Sequence, residues 1–388
     1  MELAFTEEQN LFRNSVERFL QNEYGFDQRR ASLARDDGID PEIWSGFADL
    51  GIFSLAIAES DGGLGYGMLE FGLVMEALGR HLVVEPVLTA AFQCGQILSR
   101  AADDKQRTRW LPPLLDGTTR FAFCHDPRAP ALCRHDRTWR IDGCISRVGA
   151  AIGADHTIVA ACDPENHLRL FLVSAKSAGL TVMPQRLLDS SRAACLTFES
   201  VAVPDANVMS DDAGALISDV IDKSVIAACW EATGAMTAAY EQTVTYVKQR
   251  EQFGRPIAAF QVVQHAIAEM AVCCQEARAV SMLAALSSGS GIKPQSRAVS
   301  AAKVKVGLCA DLVAKHSVQL HGGMGVAEEL PIASYFRKLT AFQILLGSTS
   351  YHRSRYADQV VMPRLHETSA ILPASPCEPG CIPVTGQD

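Results

Sequence analysis

Two segments in the second half of the chain carry residues whose types and spacing could do chemistry. The first follows a long helical stretch and runs from Arg250 through Gln252, Phe253 and a Gly254-Arg255-Pro256 turn to Phe260-Gln261. An arginine at this place can take part in binding, but it can also simply cap the helix by opposing its dipole. From spacing alone, both interpretations stay open.

The second segment is Gln319-Leu320-His321-Gly322-Gly323-Met324-Gly325. Paired glycines after a helix can simply end it, although they also let backbone amides approach an anion closely. His321 could act as a base or a ligand, or be structural. A third glycine-rich run, Gly63-x-Gly65-x-Gly67, does not follow a strand, which argues against a dinucleotide-binding fingerprint there.

Three stretches, which differ in the spacing of their apolar residues, form the elements that position these residues. Residues 1–117 have helical spacing of apolar residues, 118–213 contain short β-type runs, and 214–365 are helical again. Asp142-Gly143 is a predicted turn between strands. Residues 366–388 contain proline and glycine without apolar periodicity, which predicts a flexible tail. The sequence therefore predicts an α+β, mostly α fold, whose element order differs from that of a doubly wound sheet.

Composition and charge exclude several classes of function. The chain has 388 residues and a formal net charge of −9, so nucleic acid is not an expected partner. No long uncharged apolar stretch predicts a membrane span, and the acidic N-terminus does not resemble a signal peptide, which predicts a cytoplasmic location. The twelve cysteines are scattered without a C-x-x-C motif, so we expect buried free thiols and no metal site.

Taken together, the two segments resemble the acyl-CoA dehydrogenases, a family of FAD-dependent flavoproteins, and the resemblance extends over about residues 1–360. It implies an N-terminal helical domain, a small antiparallel β domain and a C-terminal four-helix bundle. The loop Ala58–Gly65 and the stretch Met75–Arg80 also fit the family. The resemblance rests on Tyr246-x-x-x-Arg250-x-Gln252-Phe253-Gly254-x-Pro256-Ile257-x-x-Phe260-Gln261 and on Gln319-x-x-Gly322-Gly323-x-Gly325.

The resemblance implies an FAD site that is shared between subunits, and hence an oligomer. An arginine suits the FAD pyrophosphate because its planar fork matches phosphate oxygens. It further implies an acyl-CoA substrate and an electron-transfer flavoprotein as electron acceptor. The residues expected to contact FAD are Arg250, Gln252, Phe253, Phe260, Gln261, Gln319, Gly322 and Gly323.

The chain departs from the family at the catalytic base. The family's reaction removes an α-proton from an acyl-CoA thioester, and it needs a carboxylate in an apolar pocket. At the position where most members have this glutamate, the chain has Leu346. A minority place the base on the long helix instead, and there the chain has about Ser224. Asp222 and Glu231 on the same predicted helix are alternative bases or ordinary helix charges, and Asp222 is expected to point away from Ser224.

The β domain departs as well. Two stretches that contact the flavin ring in many members differ here, namely Cys124–Pro130 and Ser146–Ala150. The ring contacts are therefore not predicted, whereas the cross-subunit motifs are intact.

These losses make the chain most similar to the small subunits of two-subunit acyl-CoA dehydrogenases, such as pimeloyl-CoA dehydrogenase. The leading hypothesis is a base-lacking subunit that works with a second acyl-CoA dehydrogenase subunit in a heterotetramer. The rivals are a self-sufficient homo-oligomer with an unusual base, and a non-catalytic scaffold that binds acyl-CoA or FAD.

Overall fold

A computed structural model describes residues 5–126, 130–135, 138–163, 165, 167–289 and 292–371. Helices come first, an eight-stranded sheet follows, and long helices complete the fold. This order confirms the predicted mostly α fold class with a small antiparallel β domain in the middle. The positions of the domain boundaries stay a prediction.

The N-terminal helices begin at a reciprocal cap. The Thr6 side chain accepts from the backbone N–H of Gln9, and the Gln9 side chain accepts from that of Thr6, so two N–H groups at the helix start are satisfied. A π-helical segment, Val87–Gln93, leads directly into a later helix. The helices are α1 (Glu7–Glu23), α2 (Phe26–Ala34), α3 (Pro41–Asp49), α4 (Met68–Arg80), α5 (Cys94–Ala101) and α6 (Asp104–Leu115).

The sheet has a mostly antiparallel path in the order β6-β7-β3-β2-β4-β5-β8, and β1 pairs with β4 in parallel. The expectation of a turn at Asp142-Gly143 was wrong, because both residues lie inside β3 at a break in its register with β7. A glycine within a strand commonly marks such an irregularity. The strands are β1 (Phe121–Cys124), β2 (Ala131–His135), β3 (Thr138–Gly149), β4 (His156–Cys162), β5 (Leu168–Ser174), β6 (Leu180–Arg186), β7 (Arg192–Pro204) and β8 (Val208–Ser210).

The C-terminal helices pack around α9, which contacts α7, α8, α10 and α11. A two-residue hairpin joins α7 to α8, and its strands are β9 (Glu251–Gln252) and β10 (Arg255–Pro256). The last helix extends to Ile371, past the predicted boundary at residue 365. Residues 372–388 of the predicted tail lie outside the described residues. The helices are α7 (Gly214–Gln249), α8 (Gln261–Leu286), α9 (Ile292–His321), α10 (Pro331–Phe342) and α11 (Thr349–Ile371).

Helices α4 and α7 cross with their backbones in contact. A Cβ atom on Gly79 would lie 1.9 Å from the carbonyl oxygen of Glu231, and one on Gly234 would lie 1.9 Å from that of Glu76. No side chain fits at either place, so the glycine on each helix lets the backbone of the other helix approach. This crossing joins the N-terminal helices to the bundle and fixes the part of α7 that carries Glu231.

We predict that Gly234→Ala destabilises the chain by about 3 kcal/mol, because its methyl group forces the α4 and α7 backbones apart. Urea unfolding monitored by circular dichroism measures this loss. The matched control is Gly214→Ala in the first turn of α7, where the nearest atom to a Cβ is 3.8 Å away. That variant should be unchanged or slightly more stable, and equal losses in both would contradict the packing argument.

Candidate functional site

The first segment forms a tight hairpin at the end of α7. The Arg250 backbone N–H donates to the Tyr246 carbonyl at 2.8 Å, and β9 then pairs with β10. The two residues at its tip, Phe253 and Gly254, have φ of +55° and +75°. Positive φ at both central residues defines a type I′ turn, whose twist matches the flanking strands.

The hairpin tip holds Phe253 in an exposed, strained position. The side chain is 91% exposed, and its only ring neighbour among the described residues is Phe260, with centroids 6.0 Å apart. A bulky residue with a left-handed backbone costs about 1–3 kcal/mol and is typical of functional sites. The Arg255 guanidinium covers the Phe260 ring at 4.3 Å, which holds the hairpin against the start of α8.

The second segment ends α9 beside the first. The Tyr246 ring stacks on His321 with centroids 4.2 Å apart, and its hydroxyl donates to the His321 carbonyl at 3.4 Å. His321 is itself buried, with Nδ1 placed 2.8 Å from the Ser317 carbonyl, and burial lowers its pKa. The histidine is therefore a packing residue that joins the two segments.

The two segments together form an exposed surface, which we call the motif surface. Seven of the eight residues expected to contact FAD are exposed there, and Phe260 is half-buried. None of the eight lines the large cavity of the chain, which lies elsewhere. The residues of the motif surface are Arg250, Gln252, Phe253, Phe260, Gln261, Gln319, Gly322 and Gly323.

The cavity has a volume of about 930 Å³ and lies between the N-terminal helices, the sheet and the bundle. Leu346 is part of its wall, on the turn between α10 and α11. The backbone of Leu346 is left-handed, with φ of +54°, and the following Gly347 has φ of +103°. The position expected from the sequence for the family's usual base is therefore in the cavity wall, and the side chain there has no proton acceptor.

Hydrogen bonds from α9 and α11 hold this turn in place. His352 donates from Nε2 to the Leu346 carbonyl at 3.0 Å, and the buried Lys303 donates to the Phe342 carbonyl. The Gln343 amide donates to the Gly307 carbonyl at 2.8 Å and accepts from Thr349 at 3.1 Å. These contacts tie the turn that carries Leu346 to α9 and α11.

Both carboxylates of α7 that were considered as bases line the cavity, and both are in ion pairs. Asp222 accepts from both terminal nitrogens of Arg355, at 2.6 and 2.8 Å. Glu231 lies 2.7 Å from the Lys338 ammonium. Ser224 points instead to Gln93, which donates to its hydroxyl at 3.0 Å. Asp222 does point away from Ser224, as expected, and it is Asp222 that faces the cavity.

Glu85 is a cavity residue that the sequence did not single out as a possible base. It is 5% exposed, and burial raises its pKa. Its Oε1 accepts from the Ser32 hydroxyl at 2.9 Å, while its Oε2 is buried without a hydrogen-bond partner among the described residues. An acid isolated within the apolar run Leu82–Leu88 was the available signal, since a charge in such a run is unusual unless it is paired or functional.

The cysteines differ from the expectation of buried thiols. Cys133 and Cys144 are exposed, and Cys162 and Cys195 are partly so. These four lie in strands, where alternate side chains face outward. The number of cysteines in a sequence does not show which of them are on the outward face of a strand.

A possible metal-binding cluster lies between α8 and α9, although the sequence predicted no metal site. Ligand atoms of Cys273, Glu276 and Cys309 are within 4.8 Å of one another. The Glu276 carboxylate is already 2.6 Å from the Lys305 ammonium. An ammonium in that place competes with a cation, so we assign no metal to the cluster.

Comparison with known proteins identifies the family. The model of the acyl-CoA dehydrogenase N-terminal domain matches residues 6–118, and that of the C-terminal domain matches residues 215–361. The chain belongs to the acyl-CoA dehydrogenase family. Members of this family are flavoprotein oxidoreductases that bind FAD. Within the part of the chain that the structure describes, no helix combines the length and apolarity needed to cross a membrane.

Relatives in this family cover nearly the whole chain. Acyl-CoA dehydrogenase IpdE2 of Mycolicibacterium smegmatis is 26% identical over 88% of this chain and 95% of its own length. A solved variant of the Tcur3481–Tcur3483 steroid ACAD is 25% identical with a TM-score of 0.83, covering 92% of this chain and 99% of that one. A glutaryl-CoA dehydrogenase from Mycobacterium smegmatis in complex with FADH2 shares the fold at 18% identity and a TM-score of 0.85, covering 92% and 95%.

Residues of the acyl-CoA dehydrogenase β domain form one wall of the cavity, including Phe123, His125, Ser146 and Arg147. The His125 ring stacks on Phe123 with centroids 5.9 Å apart, and its Nδ1 is buried without a partner among the described residues. Burial lowers the pKa of His125. An unpartnered polar atom in an aromatic wall suits a flat heteroaromatic ligand, so the wall fits a flavin ring although its residues differ from the common pattern. Residues 127–129 of the first departing stretch lie outside the described residues.

The raised pKa of Glu85 predicts how stability depends on pH. Folding disfavours its ionised form, so stability is lost as pH rises above the ordinary glutamate value of 4.5. Glu85→Gln removes this loss. The difference in free energy of unfolding between variant and wild type should therefore grow in favour of the variant as pH rises from about 4.5 to 7. Urea unfolding at several pH values measures it, and a difference that does not change with pH would contradict the assignment.

Proposed function

We propose that this chain is the base-lacking subunit of a heteromeric, FAD-dependent acyl-CoA dehydrogenase. The observation that carries the proposal is that Leu346, the residue that the sequence places at the usual base position, lies in the cavity wall. A leucine cannot take the α-proton of an acyl-CoA thioester. A second subunit of the same family would supply the missing glutamate.

The paired carboxylates of the cavity support this proposal. Asp222 already accepts two charge-assisted hydrogen bonds from Arg355, and Glu231 contacts Lys338. Breaking a buried pair by using one partner leaves the other charge uncompensated, at a cost of several kcal/mol. Neither carboxylate is thus well placed to accept a proton from a substrate.

The motif surface supports a site that is shared with a neighbour. Arg250 follows α7, and at 1.5 Å per residue it lies about 28 Å along the helix axis from Glu231 in the cavity wall. In this proposal, a residue so far from Glu231 would serve the part of a ligand that a second subunit holds. Arg250 would bind phosphate oxygens through its planar fork, while Phe253 and Phe260 would present apolar faces to the ligand. Gly322 and Gly323 would allow close backbone contact, and Gln252, Gln261 and Gln319 would offer amide hydrogen bonds.

Bound FAD would supply the acceptor for the hydride that leaves the β-carbon of the acyl group. The chain's own contribution would be to hold this cofactor, to enclose the acyl thioester in an apolar cavity and to exclude water. An electron-transfer flavoprotein is the proposed electron acceptor, and the proposed location is cytoplasmic.

Two similar structures are described by paired names, which fits a heteromeric enzyme. One is the Tcur3481–Tcur3483 steroid ACAD. The ChsE4–ChsE5 complex from Mycobacterium tuberculosis shares the fold at 24% identity and a TM-score of 0.84, covering 96% of this chain and all of that one. By analogy, and together with the likeness to pimeloyl-CoA dehydrogenase small subunits, we place dicarboxylic, branched and steroid-derived acyl groups ahead of short straight chains.

Co-expression with a dehydrogenase subunit encoded nearby tests the proposal. We expect the pair to co-purify with flavin absorbance and to oxidise acyl-CoA, whereas the single chain is inactive. Replacing the partner's glutamate with glutamine should abolish turnover without loss of flavin. Turnover by the single chain would count against the proposal. A colourless complex that binds acyl-CoA would favour a scaffold role instead.

Arg250→Ala should weaken FAD retention by the co-purified pair by at least about tenfold, because a charge-assisted hydrogen bond to phosphate is lost. Flavin fluorescence during dilution measures the retention. Lys248→Ala is the matched control, since it removes an exposed positive charge of α7 two residues earlier. We expect normal retention in this control. Equal losses in both variants would indicate general electrostatics in place of a specific contact.

Glu85 favours one alternative, a self-sufficient homo-oligomer with an unusual base. It is a buried carboxyl group with a raised pKa in the cavity wall, which are properties of a general base. Its free Oε2 is covered by protein, so substrate could reach it only if the wall moved. If this alternative holds, the purified single chain oxidises acyl-CoA, and Glu85→Gln abolishes that activity. Asp222→Asn and Glu231→Gln test the two other candidate bases.

A further inference from the structure

Two thiols on the sheet lie in contact, and neither has a part in the proposed function. The Sγ atoms of Cys144 on β3 and Cys195 on β7 are 3.1 Å apart. Cys144 is exposed and Cys195 is partly exposed, so both can be reached from solvent. Two reduced sulfurs at this distance are closer than ordinary sulfur contacts, and a covalent bond of about 2.05 Å needs an approach of only about 1 Å.

The register of the two strands explains the contact. Cys144 is opposite Thr197, and the pairing then shifts so that Ser146 and Arg147 of β3 both face Cys195. Such a bulge bends its strand and increases the local twist. The thiols are diagonal neighbours on one face, and the added twist brings diagonal side chains closer than a regular ladder does.

The surroundings of the pair are polar and open. The Ser146 hydroxyl lies 3.8 Å from the Cys195 sulfur, and the Thr197 hydroxyl lies 3.8 Å from the Cys144 sulfur. Cys144 is the more exposed of the two thiols, so a dissolved disulfide reaches it first. A hydrogen bond with Cys144 also raises the pKa of the Cys195 thiol. The adjacent Arg147 lines the cavity, so a link here would tie together the two strands behind that wall.

We propose that Cys144 and Cys195 form a reversible disulfide by exchange with a small-molecule disulfide of the glutathione class. The Cys144 thiolate attacks one sulfur of oxidised glutathione, which forms a mixed disulfide and releases one glutathione thiolate. The Cys195 thiolate then attacks the Cys144 sulfur and releases the second. Both protein thiols lose their protons and two electrons pass to the oxidant, which leaves as two reduced glutathione molecules.

The other cysteines among the described residues do not combine solvent access with a neighbouring sulfur. Cys133 on β2 is exposed, but no sulfur contact is found for it among those residues. Cys273 and Cys309 lie close together, but both are buried between helices and out of reach of glutathione. Access and a sulfur neighbour coincide at Cys144 and Cys195, where the effective concentration of the second thiol is high.

Mass spectrometry after oxidation of the folded protein tests the proposal. The protein, as purified, is incubated with oxidised glutathione, blocked with N-ethylmaleimide and digested with trypsin. A disulfide joins peptide 141–147 to peptide 193–223. We expect this linked species to be at least about tenfold more abundant than any linked species that contains Cys133, and excess reduced glutathione should reverse it.

Three variants separate the proposal from chance oxidation. Cys133→Ser should leave the linked species unchanged. Cys195→Ser should instead accumulate glutathione on Cys144, because no second thiol displaces it. Cys144→Ser should abolish the link. Glutathione that stays on Cys144 in the wild type would overturn the proposal, as would a linked species that forms only in urea.

Discussion

The structure depends on the backbone contact between α4 and α7. Gly79 and Gly234 leave room for the opposing carbonyl groups and for nothing larger. Because α7 crosses α4 there, its middle turns lie deep in the protein while its last turns extend to the surface. One continuous helix therefore carries Asp222 and Glu231 to the cavity and Arg250 to the motif surface. Separation of these two places along one rigid element is the physical basis of the two-subunit account.

Several carboxylates of the cavity lie beside cationic side chains. Asp222 is paired with Arg355, and Glu231 and Asp189 both face Lys338. Glu85 differs from these carboxylates, since burial raises its pKa and its Oε2 has no hydrogen-bond partner among the described residues. A cavity of about 930 Å³ with this arrangement can hold an acyl group, but its described wall offers no exposed, unpaired carboxylate at the Leu346 turn.

The sequence predicted most of the fold because helix signals act over many residues. The extents of α7, α8 and α9 followed from apolar spacing and from the Gly/Pro and Ser/Gly breaks between them. The sheet was harder to predict, because β6 has no buried residue, β3 contains breaks in its register, and Asp142-Gly143 has the composition of a turn. Pairing partners of short strands are set by tertiary contacts, which local sequence does not contain.

Some residues of the site could be predicted from the sequence and others could not, again because local sequence does not contain tertiary contacts. The two motif segments, Arg250 to Gln261 and Gln319 to Gly323, could be recognised from the spacing of their residues, so we expected them to lie together. The stacking of Tyr246 on His321 is the contact that joins them. Their role in binding FAD stays a prediction. Glu85 could not be recognised as a cavity residue, because its environment comes from helices distant in sequence, through Ser32 and Asp40.

Proton exchange tests the central claim, that this chain lacks a base, most directly. The substrate is a 3-thia-acyl-CoA in D2O, because sulfur at the β-position cannot give up a hydride and leaves α-proton removal as the observable step. The sample is the co-purified pair in which the partner's glutamate is replaced by glutamine. The account predicts no α-deuterium incorporation above the buffer rate. Incorporation at the rate of the unmodified pair would show that this chain supplies the base.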